Sequence, residues 1–214
     1  MRLADTAASA ATAILAHLFA VDPGPAPEKA ALYSRATALA FDACRLGPWD
    51  ELRDLAVIAR NDALAAATPA EVRKAALGFL GVLEQPQAAD GLVAAALAMD
   101  GNPSPALGAL LGAAGPQAIW ALCQRIAANP PSPSIQQLKE FVARLGQATW
   151  RRAAEIAPAY AENDALAFLM VAATLPRRLA RETMQALTVH PDAKVRAMTN
   201  AVLAGMREPA EGQA

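Results

Sequence analysis

Residues 116–150 read PQAIWALCQRIAANPPSPSIQQLKEFVARLGQATW, and this stretch decides the fold. Its second half carries one apolar stripe at the spacing of an amphipathic helix, formed by Ile135, Leu138, Phe141, Val142 and Leu145. Ser132-Pro133 supplies a capping hydroxyl and a proline at the first helical position, and Gly146 follows the last apolar residue. The stretch therefore predicts two helices in succession, with a third beginning directly after the glycine.

Start and stop signals of the same kind recur along the chain. Ser104-Pro105 and His190-Pro191-Asp192 predict helix starts, and Thr68-Pro69-Ala70-Glu71 predicts a capping box, in which Thr68 caps the helix and Glu71 reaches back. Gly47 and Gly115 predict helix ends. Together these signals divide the chain into six helix pairs, at residues 1–47, 48–85, 86–115, 116–146, 147–176 and 177–205.

The last four pairs repeat with a period of about 30 residues. Pro86-Gln87-Ala88 and Pro116-Gln117-Ala118 open successive units, and Trp120 and Trp150 stand 30 residues apart in their first helices. One helix pair is too small to bury both of its faces, so neighbouring pairs must stack to form a core. We expect Trp120 and Trp150 to fill a recurring packing position, although exposed tryptophans would instead suggest interface anchors.

Composition agrees with an all-α protein. The 214 residues include 57 alanines, and only 5% are aromatic. Alanine is the best helix former and is depleted in strands. The net charge is −1 and the isoelectric point about 6.1, which argues against nucleic-acid binding, since such domains are usually strongly basic.

Three features bear on location. Cys44 and Cys123 lie in apolar stretches without CxxC spacing, as is typical of free thiols in a reducing compartment. The apolar run 7–16 is followed by Asp22-Pro23, which favours a first amphipathic helix over a secretory signal. No run reaches the roughly 20 apolar residues of a membrane span. We expect a cytoplasmic protein without membrane contact.

Two motifs resemble a known repeat family. Residues 71–77, EVRKAAL, and 192–198, DAKVRAM, are similar to the opening of the second helix of a HEAT repeat. Arg73 and Arg196 are four units of about 31 residues apart. The resemblance covers residues 48–205, although the middle units lack the Val-Arg pair. It implies a right-handed α-solenoid of about six helical hairpins, with second helices lining a concave surface.

The resemblance implies a single domain over residues 1–208, with 1–47 as an atypical capping unit. The polar residues 209–214 predict a flexible tail. HEAT-like arrays usually bind proteins, so we expect a non-enzymatic scaffold that binds another protein on its concave face, with an acidic protein as a candidate partner. The candidate partner-binding residues are the basic positions of second helices, Arg73, Lys139, Arg144, Lys194 and Arg196. Further arginines gather at 151–152, 177–178 and 181.

Two alternative functions follow from the same resemblance. One is a nucleic-acid binder resembling HEAT-like DNA-repair proteins, and the other is an enzyme resembling cofactor lyases. The residues that could carry catalysis or hold a cofactor do not form a recognisable motif. His17 and His190 are the only histidines, and neither has the local spacing of a zinc site. The sequence has no GxSxG nucleophile motif. We therefore expect no metal, no cofactor and no catalytic residues.

Overall fold

A computed structural model describes residues 3–21, 24–99, 103–129 and 132–206. These residues form α-helices, two short 3₁₀ turns and their connections, and no strand occurs among them. The all-α prediction is confirmed. The expected tail, residues 209–214, lies outside the described residues.

Twelve α-helices fall into six consecutive pairs over the described ranges. The pairs are α1 (Leu3–Val21) and α2 (Ala26–Leu46), α3 (Trp49–Leu64) and α4 (Ala70–Leu83), α5 (Pro86–Ala98) and α6 (Pro105–Ala113), α7 (Pro116–Ala128) and α8 (Pro133–Ala143), α9 (Gln147–Glu155) and α10 (Glu162–Ala172), and α11 (Arg177–Gln185) and α12 (Ala193–Gly205). The helices begin and end within the six predicted pairs. Turns of 3₁₀ helix follow α9 at Ala157–Ala159 and α11 at Ala186–Val189.

Local chemistry explains several of these ends. The hydroxyls of Ser104 and Ser132 accept hydrogen bonds from backbone amides in the first turns of α6 and α8, as predicted. Gly47 and Gly146 have positive φ angles of 78° and 81°, which glycine adopts without a steric penalty. The predicted capping box at Thr68 is wrong, because α4 has Pro69 at its N-cap and no side-chain cap bond.

The contacts divide the chain into two compact units, residues 1–118 and 119–214, which we describe separately. In the first unit α2 is the central helix and packs on α1, α4 and α5, while α3 packs on α4 and α6. The approach of α5 to α2 is close at Gly91, where a Cβ would lie 3.3 Å from the Arg45 nitrogen. Phe19, Tyr33 and Phe79 form a row of aromatic rings in this core.

In the second unit the last two helix pairs pack with corresponding helices in contact. The first helices, α9 and α11, contact each other, and so do the second helices, α10 and α12. Trp120 is buried with its ring stacked between Tyr160, at a centroid distance of 3.9 Å, and Phe168, at 4.2 Å. Its indole N–H donates to the Ala153 carbonyl at 2.7 Å.

Trp150 is also fully buried, and its indole N–H donates to the Val142 carbonyl at 3.1 Å. The two tryptophans that stand 30 residues apart therefore both fill packing positions, as the sequence predicts. They bond in opposite directions along the chain, because Trp120 reaches forward to the next helix pair and Trp150 reaches back to the preceding one.

Candidate protein-binding surface

Arg73, a predicted partner-binding residue, is half-buried and holds the loop between α3 and α4. It is the fourth residue of α4, and its Nη2 donates to the carbonyls of Ala65, Ala66 and Thr68 at 3.2–3.3 Å. Carbonyls that follow a helix lack partners within it and need donors from elsewhere. The guanidinium of Arg73 supplies them.

Arg196 occupies the same position in the last pair. It is the fourth residue of α12, and its Nη1 donates to the carbonyls of His190, at 2.7 Å, and Pro191, at 2.6 Å. The equivalence predicted from the spacing of Arg73 and Arg196 thus extends to their contacts. In both places the arginine orders the loop that leads into a second helix, and this contact occupies donors that a partner would otherwise use.

The loop before α12 contains a buried histidine with a bond on each ring nitrogen. His190 Nδ1 accepts from the Asp192 amide at 3.1 Å, and Nε2 lies 2.9 Å from the Tyr160 carbonyl. Asp192 caps α12 by accepting from the amides of Val195 and Lys194, and these bonds, the Val195 bond above all, lower the pKa of its carboxyl. These contacts give His190 and Asp192 roles in loop structure.

The remaining three predicted residues lie in the second unit. Lys194 Nζ contacts Glu162 Oε1 at 2.6 Å across the last two pairs, and this bond raises the pKa of Lys194. Lys139 is half-exposed within α8, and Arg144 is exposed at its C-terminal cap. The structure places Arg73 in one compact unit and Lys139, Arg144, Lys194 and Arg196 in the other.

A denser group of charges lies on the exposed sides of the first helices α9 and α11. We call this group the arginine face; it comprises Arg151, Arg152, Arg177, Arg178 and Arg181. The two helices carry these five arginines and two glutamates, a net charge of +3 in a chain whose net charge is −1. Arg151 and Arg181 are each the fifth residue of their helix, so the repeat places basic groups at equivalent positions.

Glu182 joins the two helices of the arginine face. Its carboxylate accepts from Gln147 at 2.8 Å and Arg151 at 2.9 Å, both on α9, and from Arg178 at 3.2 Å on its own helix. The hydrogen bonds from Arg151, Gln147 and Arg178 lower the pKa of Glu182 to about 2. The arginines stand out in the sequence, whereas this carboxylate does not. The separation of 31 residues between Glu182 and Arg151, which is one repeat, is a signal that could have identified it.

The partners of the arginines differ. Arg177 donates to the Met206 carbonyl, with Nε at 3.0 Å, and so ties α11 to the end of α12. Arg152 and Arg181 are exposed, and Arg181 borders an open groove of about 600 Å³. The groove is lined by Arg181, Gln185, Asn200, Leu203 and Ala204. It therefore offers one guanidinium and two amides beside a small apolar floor, a combination suited to a carboxylate on a peptide.

Neither cysteine has the surroundings of a reactive thiol. Both are buried, and burial raises the pKa of Cys44 to about 12 and shifts that of Cys123 in the same direction. Among the described residues, no three His, Cys, Asp or Glu side chains come together in a way that could hold a metal ion. No single described helix is long and apolar enough to cross a membrane, while α6 and α7 together, as a bent pair, meet the length and composition test.

The described residues define an all-helical protein built from consecutive helix pairs, with an arginine-rich surface on the first helices of its last two pairs. No protein-family model matches the chain, and comparisons with curated proteins and with solved structures found no match either.

Proposed function

We propose that this protein is a non-enzymatic, HEAT-like helical-repeat module that binds an acidic segment of another protein on its arginine face. The observation that carries the proposal is the concentration of five exposed arginines on two adjacent helices of an otherwise slightly acidic chain. Complementary charge steers association and fixes the register of a partner. Arginine suits this role because its planar guanidinium can bind a carboxylate with two parallel hydrogen bonds.

The binding surface that we propose lies on first helices, whereas the sequence alone suggests basic residues of second helices. Arg73 and Arg196 use their guanidiniums on loop carbonyls, and Lys194 forms an ion pair with Glu162. In contrast, Arg178 keeps 88% of its side chain exposed while it contacts Glu182. A largely solvated guanidinium retains donors for a partner's carboxylate, so the first helices offer more binding capacity.

A protein partner is favoured over a nucleic acid by the mixture of charges. Glu155 and Glu182 belong to the same two helices as the arginines and limit the net charge of these helices to +3. This charge suits a short acidic segment, whereas nucleic-acid binding usually requires a strongly basic domain. The amides of Gln185 and Asn200 beside Arg181 can pair with peptide groups of an extended chain. A cytoplasmic location belongs to the proposal, and the two buried free thiols support it.

The right-handed solenoid of six hairpins is the architectural part of the proposal. It is supported by residues 147–205, where first helices pack on first helices and second on second. The side-chain bonds there join residues about one repeat apart, such as Arg151 with Glu182 and Lys194 with Glu162. In residues 1–118 the contacts of α2 with α5 and of α3 with α6 cross between the layers, so the stacking we propose for the whole chain is less regular in this unit.

The test is a pull-down. Immobilised wild-type protein and an immobilised Arg152→Glu/Arg181→Glu variant are each incubated with a lysate of the native cells, and the proteins that each retains are compared. These two positions are exposed and leave the contacts of Glu182 in place. Arg60→Glu on α3 is the matched control, since Arg60 is also exposed but lies outside the arginine face. Circular dichroism verifies that all three proteins fold.

We expect the wild-type and control proteins to retain an acidic protein, and the double variant to retain at least about tenfold less of it, because like charges brought together at a contact cost more than the roughly 1.4 kcal/mol that corresponds to a factor of ten. Retention should also fall as the salt concentration rises. Equal retention by all three proteins would show that the arginine face is not the binding surface. A duplex DNA probe is tested in parallel, and steeply salt-dependent binding that needs Arg152 and Arg181 would favour the nucleic-acid alternative.

A further inference from the structure

The helix α1 presents an apolar face to solvent. Its core face consists of Thr12, Leu15, Ala16 and Phe19, all buried. The opposite face carries Ile14, Leu18 and Val21, whose exposed fractions are 60%, 41% and 70%. The exposed alanines Ala7 and Ala10 continue the stripe toward the start of the helix. At 100° per residue these five positions lie within an arc of about 80°, so they form one seam.

The spacing along this seam reads the same in both directions. From Ala7 through Ala10, Ile14 and Leu18 to Val21 the steps are three, four, four and three residues, with Ile14 at the centre. An antiparallel copy of the same helix would therefore place Ile14 opposite Ile14, Ala10 opposite Leu18 and Ala7 opposite Val21. Each small side chain would face a large one, which is the condition for interdigitation without overlap.

We propose that α1 is a self-association surface, on which a second copy of this chain docks antiparallel about a twofold axis through Ile14. A twofold interface requires that the residue i of one copy contacts j of the other while j contacts i, and the symmetric spacing meets this requirement. This surface lies in the unit of residues 1–118 and is separate from the arginine face.

Charge favours a second copy over other occupants. No Asp, Glu, Lys or Arg occurs from Thr6 to Val21, so no charged side chain lies within the seam of either copy. The same stretch offers no cation for an anionic lipid surface and no charge for a charged partner helix. His17, exposed beside the seam, would lie across from Ala11 in the antiparallel arrangement. A neutral surface of this kind complements itself.

The area of the seam sets the expected strength of the dimer. The five positions span about 21 Å of helix, since the rise is about 1.5 Å per residue. When α1 of one copy contacts α1 of the other over this length, the buried area falls below the roughly 1,200 Å² at which standard stable interfaces begin. The dimer should therefore be weak, with a dissociation constant on the order of micromolar, and should depend on protein concentration.

Sedimentation equilibrium of the whole protein from about 1 µM to about 1 mM covers this range of dissociation constants. We expect a reversible monomer–dimer equilibrium in the wild type. Ile14→Asp places two carboxylates on the axis and should weaken the dimer about a hundredfold. Val57→Asp is the matched control, because Val57 is 53% exposed on α3 and lies outside the seam. A wild type that stays monomeric throughout, even if it binds neutral lipid vesicles, would overturn the proposal.

Disulfide formation tests the register. Ile14→Cys should link to itself on mild oxidation, because the axis brings the two positions together. Ala10→Cys and Leu18→Cys should each form no disulfide-linked dimer alone and should form one when mixed, which a size tag on one variant makes visible. The native Cys44 and Cys123 are buried and give no background. Self-linking of the Ala10 and Leu18 variants would indicate parallel helices and contradict the proposed arrangement.

Discussion

Replacing Trp120 by phenylalanine isolates the contribution of one hydrogen bond to the stacking of helix pairs. The indole of Trp120 is 1% exposed, and its N–H donates to Ala153 at 2.7 Å in the next pair. Phenylalanine keeps a ring between Tyr160 and Phe168 but removes the donor and part of the indole. The lost hydrogen bond should cost about 1–1.5 kcal/mol. The smaller ring should cost about another 1 kcal/mol through lost apolar contact and a small cavity.

Trp120→Phe should therefore lower the free energy of unfolding by about 2–3 kcal/mol, measured by urea titration with far-UV circular dichroism. Trp49→Phe is the internal control. Trp49 is only half-buried, and its indole N–H donates to Cys44 at 3.2 Å, so we expect a loss of about 0.5–1 kcal/mol. A loss at Trp120 no larger than the loss at Trp49 would refute the packing role that we assign to Trp120.

Three further predictions concern stability. Arg73→Met and Arg196→Met should each lower the free energy of unfolding by about 1–2 kcal/mol in urea titrations, because each removes the donor to loop carbonyls, and a loss at only one would contradict their equivalence. Tyr33→Phe should cost about 1–2 kcal/mol in the same assay, since the buried hydroxyl donates to Asp62 at 2.5 Å, and no loss would remove this bond from the account. Glu182→Gln is compared with the wild type by thermal unfolding at several pH values. The wild type should be the more stable protein above pH 4.5, and the difference in stability should vanish toward pH 2. A difference in stability that persists at pH 2 would contradict the low pKa of Glu182.

The pH window for Glu182 follows from the sign of its pKa shift. The pKa of Glu182 in the folded protein, about 2, lies below the ordinary glutamate value of 4.5, so the folded state favours the charged carboxylate. The stabilisation is complete where both states are ionised, above pH 4.5. It is lost as the pH falls through the folded value, because the unfolded chain takes up its proton first.

The helix boundaries could be predicted from the sequence because they depend on local chemistry. Ser104 and Ser132 cap their helices through bonds that span three residues, and Gly47 ends α2 with its own positive φ angle. The repeat period was equally accessible, since Trp120 and Trp150 mark it directly. In these cases the features that determine the structure are local in the sequence.

The contacts that the sequence does not reveal are those between residues that the fold brings together. Arg73 and Arg196 read as surface charges on a helix, because the sequence does not show that a preceding loop folds back within reach of the guanidinium. The same loop explains the error at Thr68, whose carbonyl accepts from Arg73 while no side-chain bond caps α4. Glu182 escaped notice because its three donors come from two helices.

The layer contacts of the first unit were also beyond prediction. That α5 packs on α2 depends on which apolar faces meet in space, and helical periodicity identifies a face without identifying its neighbour. Gly91 permits that approach, yet in the sequence it is one glycine inside an apolar helix. Only the three-dimensional arrangement assigns it a role.

The central claim is that neighbouring helix pairs within each compact unit lie side by side, joined by contacts about one repeat apart, and a zero-length carboxyl–amine crosslinker tests it most directly. Treatment of dilute, monomeric protein with a carbodiimide, followed by mass spectrometry, should join Lys194 to Glu162 and Lys29 to Asp62, whose charged atoms lie 2.6 Å and 2.8 Å apart. These two links span 32 and 33 residues. Their absence, together with efficient links from Lys29 and Lys194 to other carboxylates, would contradict the account.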